Sequence, residues 1–137
     1  MERRDYLLQQ IQEMGAFLAR LILRLRKKKE QPSAEIQAIS GELENEMGIV
    51  LNDLLFLEDN AFVIVLEEKL QSLENMEKFA TLLEQLGDVA LNNETLLRQQ
   101  IYYHKARVLL DFVETKTQSY SMERQQQLAD IRLKMNG

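Results

Sequence analysis

The chain has 137 residues and a net charge of −5, with 45% apolar residues, one proline, one histidine and no cysteine. Without cysteine, thiol catalysis, Cys-ligated zinc and a disulfide scaffold are excluded, and the length suits one domain that can bury a core without such staples. The longest apolar run, residues 61–66, is far too short to span a bilayer, and polar residues interrupt the apolar ones after Met1–Asp5, so a cytoplasmic protein without a secretory signal is expected.

A single Pro and five Gly among many Leu, Glu, Gln, Lys and Arg residues predict an all-α fold. Residues 1–30 read as one long amphipathic helix. Leu7, Ile11, Met14, Leu18, Leu21 and Leu25 alternate spacings of four and three, a heptad seam that marks a candidate self-association surface. Phe17 and Ile22 widen that seam. The helix closes on a basic cluster, Arg20, Arg24, Arg26, Lys27, Lys28 and Lys29, whose charges complement the helix dipole before Gln31-Pro32 stops it.

Residues 31–137 form the second unit, a helical domain containing a hairpin at about 73–117. Ser33 is placed to cap a helix carrying Ile36, Ile39, Leu43, Met47, Val50 and Leu54, with a break expected near Gly48. Glu58-Asp59-Asn60 predicts a turn into a short helix over 61–71. Its Phe62-Val63-Ile64-Val65-Leu66 run has strand propensity, but Glu67-Glu68-Lys69 follow directly and no partner strand is evident, which predicts a fully buried helix. Ser72 caps a helix to about 91, Asn92-Asn93 turns the chain, and a long helix follows over 94–117. That helix is apolar on two sides, through Leu96, Tyr103, Ala106, Leu110 and Val113 and through Tyr102 and Leu109, so it should lie between neighbours. Ser121 caps a terminal helix to about 135.

Charge is segregated along the chain. Residues 1–30 carry eight Lys/Arg against four Asp/Glu, residues 31–95 two against fourteen, and residues 96–137 seven against four. A basic–acidic–basic layout favours docking of the ends on the middle, within one chain or between two.

The hairpin at about 80–113 carries L-x2-L-G-x2-A (Leu83, Leu86, Gly87, Ala90) and Y-x2-A (Tyr103, Ala106). It resembles a tetratricopeptide repeat, with Leu83 at the Trp position and Ala90 at the Tyr position of the consensus. The resemblance implies antiparallel helical hairpins in the C-terminal half, with Gly87 admitting close approach of a second helix bearing Tyr103 and Ala106. Gln99 departs from the pattern where a small Ala belongs, and Asp111 where a Pro belongs. A shift of one repeat length puts the Leu-Gly pair on Asn52-Asp53 or Tyr120-Ser121, so at most one repeat is recognisable. In such folds the first helix of a hairpin lines the partner groove, which implies Thr81, Glu84, Gln85, Asp88 and Asn92 here. These are acidic, amide or hydroxyl side chains, suited to a basic or neutral segment, for which the chain's own first helix is a candidate. The start R-D-Y-L-L-x-x-I-x-x-M-x-x-F-L-A-x-L (Arg4 to Leu21) is also similar to a group of small bacterial helical proteins, a resemblance that specifies no activity.

Chemistry has few footholds. His104 has Ile101, not Glu, three residues before it and no second His exists, which excludes the di-iron Glu-x-x-His and the zinc H-E-x-x-H patterns. Glu42/Glu46 and Glu84/Asp88 share helix faces and are expected to form a solvated acidic surface. No catalytic, cofactor or metal residue is assigned. A non-catalytic protein-interaction or scaffold module that self-associates is expected, with a protein or a second copy as partner and no nucleic acid, since the basic run lacks interleaved aromatics. A peripheral membrane-surface adaptor using the basic helix is the alternative, and an enzyme using the acidic centre and His104 a more distant one.

Overall fold

Two serines and one left-handed glycine mark three of the helix ends. A computed structural model describes residues 3–27, 32–90 and 96–136, the side chains of 32 and 33 excepted. Among these it contains α1 (Arg3–Lys27), α2 (Pro32–Met47), α3 (Leu51–Leu55), α4 (Asp59–Leu70), α5 (Leu73–Ala90), α6 (Leu96–Lys116) and α7 (Met122–Asn136), with no strand. Ser72 Oγ accepts from the Asn75 N–H at 3.0 Å and Ser121 Oγ from the Arg124 N–H at 3.1 Å, so both expected caps form. α2 passes through Gly41 and stops at Gly48, whose φ of +65° suits glycine and turns its N–H back to the Glu44 carbonyl at 3.0 Å. The expected Asn92-Asn93 turn and the Gln31 stop lie outside the described residues, as does the Ser33 side chain.

The direction of packing follows from which residues meet. Along α1 and α5, Ile11 reaches Asn75, Gly15 reaches Lys78, and Ile22 and Arg26 reach Gln85, so the two helices run parallel. Along α7 and α5, Arg124 reaches Glu77, Gln127 reaches Thr81 and Lys134 reaches Asp88, which is again parallel. α6 returns antiparallel to α5, with Tyr103 bonded to Asp88 near one end while Glu114 and Glu77 meet at Arg124 near the other. α2 returns antiparallel to α1, pairing Glu35 and Glu42 with Arg24 and leaving Glu46 beside Glu13. The result is a row of three parallel helices, α1, α5 and α7, backed by the returning helices.

α5 is the centre of this row, and its apolar residues Met76, Phe79, Leu82, Leu83 and Leu86 are all buried. Leu18, Leu21 and Leu25 of α1 join the same core, as do Leu128 and Ile131 of α7, so the segment 1–30 shares its core with the segment that follows. α6 is buried on two sides through Tyr102, Tyr103, Ala106, Leu109, Leu110 and Val113, while Leu96 of the expected first stripe is 65% exposed at the start of the helix. The 62–66 run is helical, but it is not fully buried. Phe62, Leu66 and Leu70 form the inner stripe of α4 while Ile64 is 63% exposed, because α4 lies at the edge of the core and only one of its faces meets α5 and α6.

The α5–α6 contact is close at Gly87. A β-carbon there would stand 2.7 and 2.9 Å from the Tyr103 ring, a separation that requires glycine or a displaced ring. Gln99, where the repeat pattern wants a small residue, is buried and donates through Nε2 to the Gly87 carbonyl at 3.0 Å. The amide replaces small-residue packing with a hydrogen bond across the same interface. Gly87→Ala should destabilise the fold by about 1–3 kcal/mol, as overpacked cores do. Gly41→Ala, with open space around it, should stabilise by about 0.5–1 kcal/mol through helix propensity. Urea midpoints of the two variants at unchanged m-value check both signs.

Candidate functional site

Opposite charges along the chain meet on the faces of α5, and the resemblance-derived groove lies among them. Thr81, Glu84, Gln85 and Asp88 floor a cleft of about 710 Å³, walled on one side by Arg26 of α1 and on the other by Met122, Glu123, Gln126, Gln127 and Asp130 of α7. Asn92 lies outside the described residues. These four predicted positions project from one side of α5 because they follow a three- and four-residue spacing.

The floor is not a free acidic face. Glu84 is buried, accepts from Gln127 Nε2 at 2.9 Å and pairs with Lys134 Nζ at 2.7 Å. Asp88 accepts from the Tyr103 hydroxyl at 2.7 Å and lies 3.0 Å from Lys134 Nζ. The expectation of a solvated surface is overturned for Glu84, which α7 covers and which, as a buried charge, needs its partner. Asp88 remains exposed, as expected, but is paired rather than free. Burial, reinforced by the Asp88 hydrogen bond, pushes the Tyr103 phenol well above its ordinary pKa. Burial would depress the Lys134 ammonium, but the bonds to Glu84 and Asp88 outweigh it and hold the group above its usual range. With its amide oriented to satisfy both neighbours, Gln85 donates to the Ile22 carbonyl at 3.2 Å and accepts from Arg26 Nε at 3.1 Å. The first helix thus flanks the groove, as the charge layout suggested, but the cations over the acidic floor come from α7. Glu123 and Asp130 remain exposed on the rim.

The predicted seam is divided. Leu18, Leu21 and Leu25 are buried within the chain against α5 and its neighbours, which removes them from any surface for a second copy. Ile11 and Met14 are half-buried, and Leu7 is exposed. A heptad pattern records only that one face is apolar; here the body of the fold covers its C-terminal part.

The basic cluster is divided as well. Arg24 donates from Nη1 to Glu42 at 2.6 Å and from Nε to Glu35 at 3.1 Å, fixing α1 to α2, and the Glu42 bond raises its pKa against the opposing pull of burial. Arg20 stacks over the Phe17 ring at 6.0 Å, Arg26 bonds Gln85, and Lys27 is exposed. Lys28 and Lys29 lie outside the described residues. A continuous cationic patch would need Arg24, which is already paired. No helix among the described residues is long and apolar enough to cross a membrane.

His104 is half-exposed, with Nε2 2.9 and 3.1 Å from the two carboxylate oxygens of Asp59. Lys105, nearly buried, donates to Asp59 Oδ1 at 2.8 Å and to the Leu57 carbonyl at 2.5 Å, with its ammonium 4.9 Å from the Phe62 ring centre. This cluster fastens the start of α4 to α6. Among the described residues, no group of three or more His, Asp or Glu side chains is placed to hold a metal ion.

Sequence reasoning missed Asn75, Gly15 and Arg124. Asn75 is buried and donates through Nδ2 to the Ile11 and Leu70 carbonyls, each at 3.1 Å, where a β-carbon on Gly15 would stand 2.8 Å from its Oδ1. Arg124 is buried, bonding Glu114 at 2.6 Å, Glu77 at 3.2 Å and the Ser119 carbonyl at 2.9 Å. Single polar residues in helices carry no periodic signal; the arrival of two acids beside Arg124 is a tertiary event.

Two outcomes are expected from these clusters. Removing a buried guanidinium leaves two carboxylates without their counter-charge, so Arg124→Met should cost roughly 2–3 kcal/mol in a urea titration. For Asp59, burial raises the carboxyl pKa, but bonds from Lys105 and His104 more than reverse it, and the net value lies below the usual range. A depressed folded pKa gives stability that is present above about pH 4 and lost as pH falls through the folded value. Asp59→Asn should flatten that part of the acid limb in a stability–pH profile. No family model, no curated protein and no solved structure matches this chain.

Proposed function

We propose that the protein is a non-catalytic interaction or scaffold module that self-associates, and that the cleft between α1 and α7 receives a basic or neutral segment of a partner protein. The observation that carries the partner reading is the arrangement of charge in the cleft. Its floor carboxylates, Glu84 and Asp88, are held by Lys134, while Glu123 and Asp130 stand exposed on the α7 rim. Polar groups that are already satisfied orient the floor without demanding a ligand charge. The exposed acids supply attraction for a cation, and Met122 adds an exposed apolar contact beside them.

The floor is built by a buried helix and therefore rigid, which lowers the ordering cost of binding. A lysine-rich amphipathic peptide is the direct probe. Calorimetry should detect binding that weakens with added salt, and Glu123→Lys/Asp130→Lys should abolish it while the circular dichroism spectrum stays unchanged. Binding that is undiminished by this double charge reversal, or absent at low salt, would refute the cleft as the recognition surface.

A further inference from the structure

The first turns of α1 project beyond the rest of the molecule. α2 ends at Met47, which shares a cleft with Gln10 and Met14, and α5 begins at Leu73, with Asn75 bonded to Ile11. Both helices that flank α1 therefore stop near residues 10–11, and every residue from Arg3 to Gln10 is exposed. This stretch is not wholly polar. Tyr6, Leu7 and Leu8 are 59%, 40% and 49% exposed. Exposed turns at a helix end are marginal in water, since helix stability comes mainly from packing of an apolar face.

Immediately behind the projection lies a notch between α1 and α2. Its two adjoining hollows, of about 230 and 450 Å³, share Phe17, Glu13 and Glu46; Met14 and Met47 line the smaller, and Arg20 and Glu42 the larger. Glu46 is exposed, and Glu13 is exposed and accepts from Gln9 of its own helix. The projecting turn carries the complementary charge in Arg3 and Arg4. On the helix, Tyr6, Gln10, Glu13 and Phe17 follow each other at three- and four-residue steps, so the projection and the notch share one face.

We infer that this face is where a second copy of the chain docks: two α1 helices lie antiparallel about a two-fold axis, each placing its projecting turn over the other's α1–α2 notch. The inference rests on the self-association part of the proposed function and supplies its surface. An isologous contact requires a self-complementary patch. This one places Tyr6 and Leu7 with Arg3 and Arg4 at the tip, and Met14, Phe17 and Met47 beside Glu13 and Glu46 in the notch, on the same chain. Antiparallel pairing satisfies both ends at once, covering Tyr6 and Leu7 with Met14, Phe17 and Met47 while Arg3 and Arg4 face Glu13 and Glu46. Methionine floors adapt readily to an inserted side chain.

Light scattering on a sizing column, using the full chain at micromolar concentration, is the first test. The expected mass is twice that of the 16.1 kDa chain. Leu7→Glu, a change at an exposed site, should return the monomer mass without loss of helical signal. Arg3→Glu/Arg4→Glu and Glu13→Lys/Glu46→Lys should each weaken the dimer at least tenfold. An equimolar mixture of these two variants should restore it as a heterodimer, because both contacts become complementary again. A purely structural effect on folding would not be rescued by mixing. A monomeric wild type would overturn this inference and the self-association reading together. A dimer insensitive to all these changes would overturn the α1 surface alone, and a second protein with a cationic helix would then be the better occupant of the notch.

Discussion

The burial of α5 among α1, α6 and α7 is the constraint on which the rest of the structure depends. A helix enclosed in this way leaves its buried polar groups out of reach of water, and each of those must find a partner in the protein. Asn75 finds the carbonyls of Ile11 and Leu70, Glu84 finds Gln127 and Lys134, and Glu77 finds Arg124. These partners lie on α1, at the end of α4 and, for three of them, on α7, so satisfying α5 also fixes where α1 and α7 sit. The apolar residues of α5 supply the driving force for burial, and its polar ones select the register.

Packing at Gly87 adds a second selection. The absence of a side chain lets the Tyr103 ring lie against the α5 backbone, and Gln99 closes the gap by bonding the Gly87 carbonyl. Tyr103 then bonds Asp88, and Asp88 pairs with Lys134 of α7. One close backbone approach is thus connected through a phenol and a carboxylate to the placement of the last helix and so to the wall of the cleft.

The ion pairs divide into two kinds. Those of Arg24 with Glu35 and Glu42, and of Arg124 with Glu77 and Glu114, join one helix to another. The pairs of Lys78 with Glu74 and of Arg107 with Asp111 lie within one helix, at 3.7 and 4.0 Å, and belong to the class of surface contacts that contribute little. Cations from both ends of the chain meet acids from its middle within one molecule, which is how the basic–acidic–basic layout is resolved. The exposed Glu13, Glu46, Glu123 and Asp130 stand outside these networks, at the rims of the two hollows proposed to bind.

The sequence by itself determined the all-α class, the helix boundaries set by Ser72, Ser121 and Gly48, and the two-sided burial of α6. These depend on local chemistry: a hydroxyl reaching an N–H three residues on, a glycine at positive φ, and an apolar period that matches the helix. It also carried four of the five groove positions together, since their spacing places them on one face. Only the tertiary structure decided how the apolar seam of α1 is divided between the core and the surface, because periodicity marks an apolar face without naming what covers it. The same holds for Ile64, which is as apolar as its buried neighbours yet faces outward because α4 lies at the edge of the core. Pairing was likewise decided in three dimensions. Glu84 and Glu123 are chemically alike in the sequence, and their difference arises because α7 lays Lys134 over one carboxylate and leaves the other in water.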